Sequence, residues 1–309
     1  MQALIEVILP VFLVIGFGYA ARWRNLFGDQ AVDALTRFAT SYGIPCMLFL
    51  AIAQLDLGQE FDPALLISYY TGATVGFLAG LFGARWIFAR PWTDSVAIGF
   101  ACLFANSVLL GLPITERAYG TEALEPNYAI IALNAPFCYL VGIAAMEIAL
   151  AGRSGILGTL RQIARTVFNN AMVIGIGLGF VVNLGGIPLP GVLNDALEMM
   201  ARAALPAALF ALGGVLYRYR PEGDMATIAW ICVVTLVVYP AVIWVMGRSL
   251  DLSEAQFRSA VLTGAMGPGV NAYIFANMYG VARRVVASSV LIATALSVVT
   301  IWIWLAILP

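Results

Sequence analysis

Apolar residues run along this chain in long blocks separated by short polar connections. A helix needs about 20 apolar residues to cross the hydrocarbon of a bilayer. Ten blocks approach that length: 3–21, 31–53, 64–88, 95–119, 127–150, 167–184, 191–217, 225–247, 255–280 and 284–307. The longest connection lies near 151–165, so there is no linker. The pattern predicts an all-α polytopic membrane protein with ten transmembrane helices, segments 1 to 10. Two segments are interrupted. Segment 4 reads Asn106-Ser107-Val108-Leu109-Leu110-Gly111-Leu112-Pro113, and segment 9 reads Gly264-Ala265-Met266-Gly267-Pro268-Gly269-Val270-Asn271. Lipid offers backbone groups no partner, so such breaks persist only where they are buried or line a watery cavity. Broken segments at matching places in two halves are the best sequence pointer to the binding site of a secondary transporter.

The halves match at a nearly constant offset. Gly16-Phe17-Gly18 returns as Gly177-Leu178-Gly179, and Pro45 with Leu48-Phe49 returns as Pro206 with Leu209-Phe210, both 161 residues later. Tyr119-Gly120 returns as Tyr279-Gly280, 160 later. We read a first five-helix repeat over 1–150 and a second over 151–309. Five crossings per half is an odd number, so the second repeat is inverted, as in secondary transporters.

Composition sharpens this. The 309 residues are 62% hydrophobic and 11% charged, with mean hydropathy +0.92. Soluble domains carry about 25% charged residues, and no polar stretch here is long enough for one. A net charge of −1 without a basic tail gives no support for nucleic-acid binding. The first apolar run carries Glu6 and no preceding positive region, so it reads as a retained helix and not a signal peptide. Cys46, Cys102, Cys138 and Cys232 lie in apolar segments without CxxC spacing, and the chain has no His. Neither a disulfide nor a metal set is indicated, and no cofactor. All sixteen basic residues are Arg. Eleven sit at the odd-numbered connections: Arg22, Arg24, Arg85, Arg90, Arg153, Arg161, Arg165, Arg218, Arg220, Arg283 and Arg284. Arg117, Arg248 and Arg258 sit opposite, while Arg37 and Arg202 lie within segments. The positive-inside rule then places odd connections in the cytoplasm and both termini outside.

Each half-helix that follows a break begins near the middle of its segment. Its first turn carries free N–H donors and about half a positive charge. Two such ends meeting would make an anion site, with Asn106, Ser107, Asn271 and Tyr273 as neutral donors. The plainer reading is that Gly and Pro merely allow close helix packing. Asn134 and Pro136 interrupt segment 5; Asn134 could bind substrate or a coupling ion, or simply make an interhelical hydrogen bond. Pro45 and Pro206 read mainly as kinks shaping a wall. Glu147 reads as snorkelling to the cytoplasmic interface and Glu6 as solvated near the outer surface. Glu116 and Arg117 read as interfacial, and Glu198 with Arg202 as a local i, i+4 pair. No Asp pair lies at mid-membrane.

The segment-4 stretch 106–113, followed by Ala118-Tyr119-Gly120, resembles the signature of the auxin efflux carrier family, which includes plant auxin carriers and bacterial malonate- and dicarboxylate-type carriers. Residues 271–280 resemble the matching stretch of segment 9, and Ile44-Pro45 with Leu48-Phe49 and Leu205-Pro206 with Leu209-Phe210 resemble further family features. The resemblance covers nearly the whole chain. It implies crossed helices 4 and 9, a scaffold of helices 1, 2, 6 and 7, usually dimeric, and a transport unit of helices 3–5 and 8–10 that moves like an elevator. It implies a carrier of small organic anions, such as malonate, malate or auxin-like acids, in the cytoplasmic (inner) membrane. The binding candidates it implies are Asn106, Ser107, Gly111, Pro113, Asn134, Pro268, Gly269 and Asn271. The chain departs from relatives at Asn169-Asn170, where many have Asn-Pro, and at Ala272, where plant carriers place the second crossing proline. Coupling to H+ or Na+ stays open. The alternative is a sodium- or proton-coupled symporter of the related bile-acid-type crossed-helix fold. A receptor would need an output domain, and an intramembrane enzyme a nucleophile–base pair or ligand cluster; neither is present in the sequence.

Overall fold

The computed structural model describes residues 4–150 and 155–309. Among these the chain is helical throughout, apart from connections and one isolated β-bridge. In chain order the helices are α1 (Ile5–Trp23), α2 (Asp29–Gln54), α3 (Pro63–Ile87), α4 (Trp92–Leu103), α5 (107–119), α6 (Thr121–Ala149), α7 (Gly155–Phe168), α8 (Ala171–Leu184), α9 (Gly191–Arg218), α10 (Met225–Ser249), α11 (Glu254–Gly264), α12 (Val270–Tyr279) and α13 (Arg283–Ile307). Among the described residues, seven are long and apolar enough to cross a membrane: α1, α2, α3, α6, α9, α10 and α13. The pair Leu157–Phe168 and Ala171–Leu184, bent by 76°, makes an eighth if counted as one span. The expected segments 4 and 9 are each two short helices, α4 with α5 and α11 with α12, broken where the sequence placed the breaks.

Proline shapes the helices in a regular way. The five-residue π-turns Leu4–Ile8, Ala39–Gly43, Ser107–Gly111 and Val234–Val238 each run directly into an X-Pro pair ending in Pro10, Pro45, Pro113 or Pro240. Proline lacks an N–H and its ring crowds the carbonyl four residues back, and the wider turn makes room for it. Pro136 and Pro206 lie inside α6 and α9, which continue past them. Helix starts are capped by short polar side chains. Asp62 accepts from the Ala64 N–H at 2.8 Å, Asp224 from Ala226 at 3.1 Å and Asn170 from Met172 at 2.9 Å.

Glycine sets the closest helix contacts. A Cβ on Gly18 of α1 would overlap the Phe210 carbonyl of α9, and one on Gly179 of α8 would lie 2.8 Å from the Phe49 carbonyl of α2. Both members of the first contact lie 161 residues from those of the second. Small residues let backbones approach this closely, which is how helices associate where lipid removes the hydrophobic drive. The larger apolar core runs through α3, α4, α10, α11 and α13, and the smaller one joins α2, α6, α8 and α9.

Two expectations are corrected. The stretch read as a bare connection, 151–165, contains helix α7. Its Gln162, Arg161 and Arg165 dilute the hydropathy below that of a span, while Leu157, Leu160 and Phe168 form an exposed apolar side. Glu147 does not snorkel. It is buried, and its Oε2 has no hydrogen-bond partner. The expected 150/151 boundary between repeats and Arg153 fall at residues 151–154, outside the described residues.

Candidate functional site: two broken helices joined at a backbone bridge

The two breaks meet. The Asn106 N–H donates to the Gly267 carbonyl at 2.9 Å, and the Gly269 N–H donates to the Phe104 carbonyl at 2.9 Å. These bonds form an antiparallel bridge between Ala105 and Pro268, the only β-type pairing among the described residues. It satisfies backbone groups that the breaks release, as an apolar environment demands. Glycine is needed on one side of it: a Cβ on Gly267 would lie 2.9 Å from Ala293 Cβ and 3.2 Å from Ala293 C, on α13.

From the bridge, α5 and α12 set out as fresh helices. Neither start has a side-chain cap, so first-turn N–H donors are left for water or a ligand. Asn106 holds the N-cap position of α5, where its side chain would ordinarily accept from the backbone. Here it does not, and its Nδ2 is buried with no partner. The Asn106 carbonyl instead takes both the Leu110 and Gly111 N–H groups, at 3.2 and 3.1 Å. Asn134 of α6 reaches across, its Nδ2 donating to Ser107 Oγ at 3.2 Å, while its Oδ1 lies 3.5 Å from Cys138 Sγ. One level further on, Asn127 Nδ2 donates to Thr263 Oγ1 at 2.6 Å and ties α6 to α11. Both helix ends distal to the bridge stop alike, at Tyr119-Gly120 and Tyr279-Gly280, with the glycines at φ 90° and 75°. An L side chain is strained there.

A cavity of about 310 Å³ opens against the bridge. Asn106, Ser107, Asn134, Gly269 and Asn271 all line it. The opposite wall comes from α2, the start of α8 and α9, including Thr36, Thr40, Asn170 and Leu212. No Arg, Asp or Glu lines it. An anion in this cavity would have to be met by helix dipoles and neutral donors, which cost far less in a membrane than an unpaired cation. A second cavity, of about 820 Å³, lies toward the end of the molecule holding Glu6 and Gly120. Pro113, Glu116, Arg117, Tyr128, Arg202 and Pro206 line it. Arg117 there donates to the Glu6 carbonyl at 2.6 and 3.2 Å, and Arg202 pairs with Glu198 at 3.1 Å.

The structure thus gathers five of the eight sequence candidates into one cavity. Gly111 and Pro268 are buried beside it without lining it, and Pro113 faces the other cavity. Tyr273, read as a donor to the site, packs its ring on Tyr219 at 5.0 Å and borders a different recess. Sequence reasoning missed Thr36, Thr40 and Asn170. The only available signal was a run of small polar residues in otherwise apolar helices, and Thr36 and Thr40 already spend their hydroxyls on the Val32 and Thr36 carbonyls.

Relatives align over the whole length. A Rhizobium meliloti protein provisionally named a malonate transporter is 26% identical across 97% of this chain and 94% of its own. An uncharacterized transporter of Escherichia coli O157:H7, YfdV, is 22% identical across 96% and 95%. Auxin efflux carrier component 5 of Arabidopsis thaliana is 20% identical across 95% and 93%. These proteins are named as transporters, and none as an enzyme. The family profile described as membrane transport protein matches residues 3–305, so this chain of apolar helices with paired, bridged breaks belongs to that transporter family, the auxin efflux carriers.

Proposed function

We propose that the chain carries small organic anions across the membrane by alternating access, with the carboxylate held at the bridge. The observation that carries this is the cavity itself. Two uncapped helix starts, the spare Asn106 donor and the Asn134–Ser107 pair converge on it, and no fixed charge competes for the ligand. Helix N-termini are ready-made anion sites. Terminal amide torsions are soft, so a turn of the Asn106 amide brings its donor to a ligand in the cavity. The names of the malonate and auxin relatives favour carboxylates as the class.

The same reading treats the chain as ten helices in two inverted repeats. The exchanged glycine contacts, Gly18 on Phe210 and Gly179 on Phe49, support it, because an internal two-fold would generate each from the other. On this reading α1, α2, α8 and α9 form the scaffold, a dimer in the membrane, and the bridged elements move against it. One cavity at the bridge and a second, separate one toward the Glu6 end are in keeping with alternating access. The concentration of Arg at the end holding Arg22, Arg90 and Arg218 supports a cytoplasmic position for that end.

The test is uptake into proteoliposomes of labelled mono- and dicarboxylates, run alongside melting temperatures in detergent. A ligand that binds only the folded state raises the melting temperature. We expect at least one carboxylate to do so and to be transported, and both effects to be lost in Asn271→Ala. A full carboxylate panel without stabilisation or flux sinks the proposal.

A further inference from the structure

A second anion site lies away from the bridge. Arg220, Arg283 and Arg284 converge on a recess of about 230 Å³ between the end of α9 and the start of α13. Among the described residues, none of the three makes an ion pair or a side-chain hydrogen bond. Neighbouring arginines do: Arg218 pairs with Asp29 and Asp33 at 3.0 and 2.6 Å, and Arg90 with Asp224 at 3.0 Å. Glu222 is the one carboxylate lining the recess, so the positive charge is in clear excess.

The placement runs against the helix dipole. Cations are unfavourable at a helix N-terminus, yet Arg283 and Arg284 are the first two residues of the 25-residue α13, whose first turn holds no acidic residue. Its N-cap, Ala282, offers no side-chain cap. The positive-inside rule accounts for which end of the molecule bears arginines, but not for three unpaired ones crowding a helix start.

Tyr219 lines the recess as well, mostly buried, with its ring 5.0 Å from that of Tyr273. The strand of chain that carries Arg220 and Glu222 is fixed. The Ser288 hydroxyl lies 2.6 Å from the Arg220 carbonyl and 2.7 Å from that of Glu222, and it accepts from the Glu222 N–H at 3.0 Å. The backbone along one side of the recess is therefore held in place.

We propose that Arg220, Arg283, Arg284 and the Tyr219 hydroxyl bind a phosphate group, presented by the headgroup of an anionic phospholipid or by free phosphate. Guanidinium groups match phosphate oxygens in bidentate geometry, and Tyr219 adds a neutral donor. The residues sit at ends of the apolar helices α9 and α13, where such helices leave the hydrocarbon. This site shares no residue with the carboxylate cavity, so it stands or falls apart from the transport reading.

The experiment is a melting-temperature titration of the whole protein in detergent with short-chain phosphatidylglycerol, with phosphatidylcholine of the same chain length, and with inorganic phosphate. Wild type is compared with Arg283→Gln/Arg284→Gln and, as a milder change, with Arg220→Gln. Both variants are first checked for an unchanged elution volume. We expect saturable stabilisation by phosphatidylglycerol and not by phosphatidylcholine, with apparent affinity about tenfold weaker or worse for each arginine removed. Stabilisation by inorganic phosphate that the variants lose, with the two lipids equal, supports the site and makes free phosphate its ligand. If neither anion stabilises the wild type, or the variants respond as it does, the proposal is overturned.

Discussion

Asn106→Ala separates a residue kept for a ligand from one kept for the fold. In the empty protein the Asn106 Nδ2 is enclosed without a partner. A buried unsatisfied amide costs about 1–3 kcal/mol, and removing it returns that cost. The side chain caps nothing, so no cap is lost, and the bridge bond uses the backbone N–H, which Ala retains. Against this stands a small void left by the amide, at most about 1–2 kcal/mol for so few atoms. The two terms are comparable, so Asn106→Ala melts within a few degrees of wild type or above it. Binding behaves differently. A hydrogen bond to a charged group contributes about 1.5–3 kcal/mol, which corresponds to roughly 10- to 150-fold in affinity. The assay is the melting temperature with and without the carboxylate that stabilises wild type best. The expected pattern is an unchanged baseline and a lost ligand response. A baseline many degrees lower, with the ligand response intact, would refute the reasoning and make Asn106 a structural residue.

Other changes follow from the same geometry. Gly267→Ala drives a methyl against Ala293 of α13 and moves the carbonyl that Asn106 bonds. It should destabilise by about 1–3 kcal/mol and abolish uptake, whereas Gly269→Ala meets only ordinary contacts from 3.5 Å outward and should keep wild-type stability. Equal melting temperatures for the two would contradict this. Asn134→Leu strands the Ser107 hydroxyl and should cost about 1 kcal/mol and most of the ligand response; a double-mutant cycle with Ser107→Ala measures the shared part. The hydrogen bond from Thr227 and then the Arg90 guanidinium hold the Asp224 carboxyl below its ordinary range. A lowered carboxylate pKa stabilises the fold above the ordinary value, about 3.9, and the gain fades as pH falls through the lowered one. Asp224→Asn should therefore lower the melting temperature at pH 7 and converge with wild type in strong acid. A gap that widens on acidification would reverse the sign.

Much of this was legible in the sequence, for identifiable reasons. Gly, Pro and Asn inside an apolar run have few uses other than breaking a helix, so 106–113 and 264–271 announced themselves. The constant offset then paired them. What faces what was not legible. Pro113 and Asn106 sit seven residues apart on one broken segment, yet they line different cavities, because two helical turns carry Pro113 about 10 Å further along. Tyr273, two residues beyond Asn271, turns onto Tyr219 and away from the site. Glu147 was read by its place near a helix end, but its depth is set by neighbours distant in sequence. Helix α7 hid because three polar residues dilute an amphipathic face that hydropathy averages away. The wall contributed by α2 and α8 depends wholly on tertiary packing.

The backbone bridge also bears on how the protein is made. Its two hydrogen bonds join residues on opposite sides of the chain's midpoint: the Asn106 N–H waits for a carbonyl synthesised 161 residues later. Until then the first break sits in or beside lipid with its released groups unanswered, a state that costs several kcal/mol for each group. The site is therefore among the last things to form during biogenesis, and neither half can complete it alone. A chain stalled after α6 carries the break unpaired, whereas completion of the second half pairs it and forms the cavity in the same step.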